Sequence, residues 1–148
     1  MRIQSLPVLS ALAISTAFLL ASPAMAETMK FKATLDGTQQ SPPITTKGKG
    51  TATFTFDTVK KTLSWNVKYS GLSGPAVAAH IHGPAAMGEN APPVIPFKNL
   101  KSPIKGSATL TDAQAADLEA GKYYVNVHTA ANKDGEIRGQ IEKAGGAM

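Results

Sequence analysis

Among 148 residues there is no cysteine, one tryptophan and only three histidines. Without cysteine there is no disulfide framework, no thiolate metal site, no iron–sulfur cluster and no thiol nucleophile. Any metal must be held by nitrogen and oxygen, or by a methionine sulfur. Basic residues exceed acidic ones by 15 to 10, a formal net charge of +5, but the lysines form no block. No basic stripe with interleaved aromatics is present, which excludes nucleic acid as an expected partner. Neither a Ser-His-Asp arrangement nor a carboxylate pair is legible, so hydrolytic chemistry finds no support. Long apolar runs are also missing: the one candidate, Val8 to Leu20, is interrupted and falls short of the ~20 residues that span a bilayer.

That run belongs to "MRIQSLPVLSALAISTAFLLASPAMA". Arg2 precedes the apolar stretch and Ala24-Met25-Ala26 follows it, the pattern of a secretory signal peptide with an A-x-A cleavage site. Residues 1–26 are therefore expected to be removed on export, leaving no stable membrane anchor and a periplasmic or secreted protein. Residues 27–148 then form one domain, with its core over about 29–142 and a frayed tail at 144–148.

Period-two alternation dominates this domain. Phe31, Ala33 and Leu35 share one parity, as do Ala52, Phe54 and Phe56, then Leu63, Trp65, Val67 and Tyr69, and again Ile104, Ala108 and Leu110. Each run reads as a half-buried strand, with Trp65 in the core. Later, Tyr123, Val125 and Val127 alternate with Tyr124, Asn126 and His128, and Ile137, Gly139 and Ile141 with Glu136, Arg138 and Gln140. Gly/Pro-rich segments punctuate the runs, and "NKDG" reads as the turn of a final hairpin. The expected fold is all-β: an antiparallel Greek-key β-sandwich or barrel, superoxide-dismutase-like or immunoglobulin-like. One connecting helix is expected from about Asp112 to Ala120, with Thr111 and Gln114 as a capping box and Gly121 as its C′ glycine.

Two of the three histidines are one residue apart, in "VAAHIHG". Val77, Ala79 and Ile81 share the core parity, so His80 and His82 project together from the opposite face, ~6.5–7 Å apart at Cα. Imidazoles at that spacing can converge on one ion. His128 also lies opposite the valines of its strand, and it joins the pair if the two strands are neighbours. The candidate metal ligands are therefore His80, His82 and His128, on an exposed face. Three imidazoles suit copper, with zinc as the alternative. Asn126 and Glu136 are candidates to orient a ligand ring. Met87 and Glu89, in the loop after His82, are weaker ligand candidates.

Several stretches resemble the CHRD domain, found as repeats in the secreted morphogen antagonist chordin and singly in bacterial exported proteins. They are "FKATLDGTQQSPPITTKGKGTATF", "LSWNVKYSGLSGPAVAAHIHGPAAMGENAPPV", "GSATLT" and "LEAGKYYVNVHTAANKDGEIRGQI". The resemblance runs from Phe31 to Ile141 and implies a compact exported β-domain. A more distant one concerns motif order. A His-x-His strand, a later Val-His and then an arginine in a glycine-bordered segment look like the copper half of Cu/Zn superoxide dismutases. That likeness implies copper on His80, His82 and His128, and gives Arg138 the role of drawing a small anion such as superoxide toward it. No bridging histidine, zinc-loop histidines or disulfide accompany these motifs, so the implied site is copper-only, or a copper site without dismutase activity.

Three functions follow as expectations: a copper-only, superoxide dismutase-like redox protein; a non-catalytic copper-binding or buffering protein with the same ligands; and a metal-free extracellular interaction domain.

Overall fold

Alternating apolar residues become strands wherever turns let two runs lie side by side. The computed structural model describes residue 22 and residues 25–145. The expected export segment therefore falls almost wholly outside the described residues, as do residues 146–148 of the tail. Strands β1 (Thr28–Asp36), β2 (Lys49–Asp57), β3 (Thr62–Ser70), β4 (Ala76–His82), β5 (Pro93–Pro96) and β6 (Ile104–Thr109) come first. Helix α1 (Asp112–Glu119) and strands β7 (Tyr124–Thr129), β8 (Ile137–Gln140) and β9 (Glu142–Lys143) complete the chain. They form one antiparallel sheet ordered β5-β4-β7-β8-β1-β2-β3-β6, with β9 paired to β1. The sheet curls into a nearly closed barrel, so Phe54 and Trp65 from one half share a core with Ile81 and Val127 from the other.

Turn chemistry sets the local connections. Between β2 and β3, Asp57 Oδ1 accepts from the N–H groups of Val59 (3.0 Å) and Lys60 (2.8 Å), which tightens the hairpin. The capping box of α1 forms as expected. Thr111 Oγ1 accepts from the Gln114 N–H (3.1 Å) and Gln114 Oε1 from the Thr111 N–H (3.0 Å). Gly121, with φ +71°, ends the helix. Ala144 is tied back by its N–H to the Lys30 carbonyl (2.8 Å).

Three features depart from the expected pattern. Strand β5 carries no alternation long enough to read, being four residues bracketed by Pro93 and Pro96. It lies at the sheet edge, where missing N–H donors are tolerated. Val77 is 55 % exposed instead of facing the core, because the β4–β7 register shifts between Ala76 and Ala78. And β7 and β8 are buried on both faces rather than one. Their outer face is covered by the connections that leave β1 and β4, which bring Gln40 and Asn90 down onto it.

Trp65 anchors the other half of the barrel. It stacks on Phe97 with ring centroids 4.8 Å apart. It also lies over its cross-strand partner Gly106, where an added Cβ would sit 2.7 Å from Trp65 Cζ2. Trp65→Ala should therefore cost about 3–5 kcal/mol, measured as a lower urea midpoint with an unchanged slope. A loss below about 1 kcal/mol would mean that this cluster does not hold the barrel together.

Candidate metal centre

Antiparallel pairing of β4 with β7 brings the three histidines together. His82 is opposite Tyr124, His80 opposite Asn126, and His128 opposite Ala78. The alanine methyl leaves room beside His128, whose Nε2 faces His80 Nδ1 at 3.4 Å. That is long for a hydrogen bond between nitrogens. It matches the ~3.4–3.5 Å between two nitrogens bound ~2.05 Å from one ion at tetrahedral to trigonal angles. Ring centroids lie 5.4 Å apart for His80–His82, 5.2 Å for His80–His128 and 5.9 Å for His82–His128. One nitrogen from each ring lies within 4.8 Å of the others. Two ligands of one ion stand ~4.2 Å apart only when trans, and ~3.4–3.5 Å apart at tetrahedral to trigonal angles, so the rings must close before all three share an ion.

Backbone carbonyls orient two of the rings. His82 Nδ1 donates to the Ala91 carbonyl (2.9 Å) and His128 Nδ1 to the Lys133 carbonyl (2.8 Å). A carbonyl oxygen only accepts, so in both neutral rings Nδ1 carries the proton and Nε2 presents a lone pair. His82 Nε2 is buried with no partner among the described residues. Leaving such an acceptor unpaired costs about 1–3 kcal/mol, a cost that a bound cation removes. Burial pushes the proton affinity of His82 down. The Ala91 hydrogen bond opposes this, while His80, His128 and the Arg138 charge add to it. Burial, then His128, lowers His80 likewise. Both rings are thus neutral at pH 7, the form that binds metal.

The site is less open than its strand parity implies. His82 is 8 % and His128 9 % exposed, and only His80 is half-buried. The loop after β4 and the β7–β8 hairpin close over the rings. Between them lies a cavity of about 490 Å³, whose walls include Gln40, His82, Asn90, Tyr124, Asn126 and Lys133.

The remaining candidates fall outside the cluster. Asn126 makes no bond to a ring: its Oδ1 accepts from Gln40 Nε2 (2.8 Å) and its Nδ2 donates to the Asp134 carbonyl (3.1 Å). Gly135, with φ +126°, packs directly against it; a Cβ there would lie 2.2 Å from Asn126 Oδ1. Arg138 is 2 % exposed. Its guanidinium donates to Asn90 Oδ1 (3.0 Å) and the Glu89 carbonyl (2.6 Å) and sits 3.6 Å from the centroid of Tyr124. Met87 is exposed beside Gln140, in a different cavity. The Glu89 carboxylate accepts from the Ala86 N–H. The carbonyls of Ala91 and Lys133 had no side-chain signature in the sequence. Tyr124 did, since it shares the parity of His128.

A family model for the CHRD domain matches residues 31–141, the span over which the resemblance was read. No curated protein and no solved structure matches the chain.

Glu136, expected as a ring-orienting candidate, bonds to no histidine ring and instead ties the β7–β8 hairpin to the β1–β2 and β3–β4 connections. Fully buried, its carboxylate accepts from Thr46 Oγ1 (2.7 Å), Ser73 N (2.8 Å), Ser73 Oγ (2.6 Å), Thr129 Oγ1 (2.7 Å) and Asn132 Nδ2 (3.2 Å). Burial alone would raise its pKa, but the bonds from Ser73, Thr129 and Thr46 together outweigh burial and hold it down at about 2, against an ordinary 4.5. A depressed carboxyl stabilises the fold above the unfolded value, and that contribution is lost as pH falls from about 4.5 through about 2. The shift corresponds to about 3 kcal/mol. Glu136→Gln should lower stability by about that amount at pH 7, and the gap to the wild type should narrow steadily between pH 4.5 and 2. Urea unfolding at stepped pH measures it. A gap that stays constant across the window would exclude this role.

Proposed function

The chain belongs to the CHRD domain family, and on that footing we propose that it is an exported copper-binding protein holding one ion on His80, His82 and His128. The carrying observation is His82 Nε2: buried and without a partner, while Nδ1 is engaged by Ala91, in a group of three rings whose ligand nitrogens lie within 4.8 Å of one another. Three imidazoles with no carboxylate among them favour copper(II), which has the highest affinity of the divalent first-row ions for such donors. Zinc is the competitor to be tested. The signal-like segment at 1–26 supports a periplasmic or secreted setting.

A bound copper ion would supply one-electron exchange. Holding the ion is favoured over superoxide turnover by what Arg138 does. Its guanidinium is buried and donates to Asn90 and Glu89, whereas an anion guide must face the path of the anion.

Metal-stripped protein titrated with Cu(II) should take up one equivalent, and its electron paramagnetic resonance spectrum should carry nitrogen hyperfine structure that His82→Ala reduces. Excess copper at about a thousand times the dissociation constant should add about 4 kcal/mol to stability. Affinity should fall as pH drops and protons compete for the rings, and burial, which lowers the proton affinity of His80 and His82, defers their part of that loss to below the ordinary histidine value. Preference for Zn(II) would overturn the copper assignment. Weak, non-stoichiometric uptake that survives His82→Ala would end the copper reading and leave a metal-free interaction domain, and dismutation of superoxide by the loaded protein would replace a holding role with turnover.

A further inference from the structure

Arg138 is a buried cation with no carboxylate partner; the ion pair among the described residues is Lys61 with Asp112, at the surface. A desolvated charge is costly unless other groups offset the loss of water. Here the offsets are two acceptors on one loop and one aromatic face, and each leads to His82.

The first route runs through the aromatic ring. Tyr124 lies on the strand between β4 and β8, with its ring nearly parallel to that of His82 (centroids 5.0 Å apart, 12° between planes) and the guanidinium over it. The second runs through the loop. Arg138 holds the Glu89 carbonyl and the Asn90 side chain, and Asn90 Nδ2 in turn donates to the Ser41 carbonyl (2.9 Å). The next residue is Ala91, whose carbonyl accepts the hydrogen bond from His82 Nδ1. The two routes meet there, because Tyr124 Oη lies 3.1 Å from both the N and the O of Ala91. The face of His82 and its Nδ1 are thus gripped by groups that one guanidinium fixes. His128 is held separately, by Lys133.

We propose that Arg138 is the positioning residue of the histidine centre, fixing the tautomer and ring orientation of His82 through Tyr124 and the Glu89–Ala91 segment. This deepens the metal reading and rests on it, but its first test needs no metal.

Long-range proton–nitrogen NMR on the metal-free protein reads the tautomer of each histidine. His82 and His128 should both carry the proton on Nδ1 in the wild type. In Arg138→Met, His82 should become a mixture of tautomers while His128 stays unchanged. An unchanged His82, or equal disturbance of both rings, overturns the proposal. If Arg138→Met fails to fold, Asn90→Ala on the exposed loop carries the test: a selective shift of His82 supports the assignment, and no shift overturns it. With Cu(II) added, the variant should bind about 10–100-fold more weakly and show one coordinated nitrogen fewer. Wild-type protein that takes up no copper would sink the metal reading and leave the tautomer comparison to decide the positioning role alone.

Discussion

Burial of β7 and β8 on both faces is the constraint from which the rest of this structure follows. Their inward residues, Val125, Val127 and Ile137, join the barrel core without difficulty. Their outward residues are Tyr124, Asn126, His128, Arg138 and Gln140, and a covered polar face must satisfy every group on it. The covering loops supply the partners. Gln40 meets Asn126, Asn90 and Glu89 meet Arg138, and the carbonyls of Ala85 and Gly121 meet Gln140. Two buried atoms are left over: Gln140 Oε1, and His82 Nε2 on the adjoining strand. Of the two, only the nitrogen lies beside two other imidazoles, a group that could hold a cation.

Charge is handled on this face without ion pairing. Glu136 and Arg138 are of opposite sign, two residues apart and both buried, yet each is surrounded by neutral partners. The carboxylate gathers Thr46, Ser73, Thr129 and Asn132, which ties the hairpin carrying Lys133 to two distant connections. The guanidinium gathers the loop carrying Ala91. A direct pair between the two would have released both loops. Each charge instead serves as a node for one of the two carbonyls that orient the histidines. In a chain with no cysteine, these nodes do the cross-linking that a disulfide would otherwise do.

Strand parity made much of this legible. The alternation of Phe54 with threonines, or of Trp65 with Ser64 and Asn66, has one physical reading, a sheet with one apolar face. The same parity placed His80, His82 and His128 together once β4 and β7 were neighbours. What parity cannot carry is what lies on top of a strand. The covering of His82 and His128 is a tertiary event, made by loops whose sequences signal only turns. The carbonyls of Ala91 and Lys133 are backbone atoms, present in every residue and marked by none. Strand β5 was hidden because four residues between prolines hold no period, and the outward turn of Val77 because a bulge breaks the count.

The three rings are not equivalent, and the difference bears on how an ion is received. His82 and His128 each hold a carbonyl through Nδ1, and moving either ring forfeits a hydrogen bond worth about 1 kcal/mol. His80 has no such anchor: its ring nitrogen faces only His128, and it is the half-buried member of the set. His80 is therefore the ring that can move at least cost. The widest centroid separation, 5.9 Å, lies between the two anchored rings, His82 and His128, and motion of His80 leaves it unchanged. Any closure between those two rings has to come from the segments that hold their carbonyls, and these are the segments that Arg138 and Glu136 tie down.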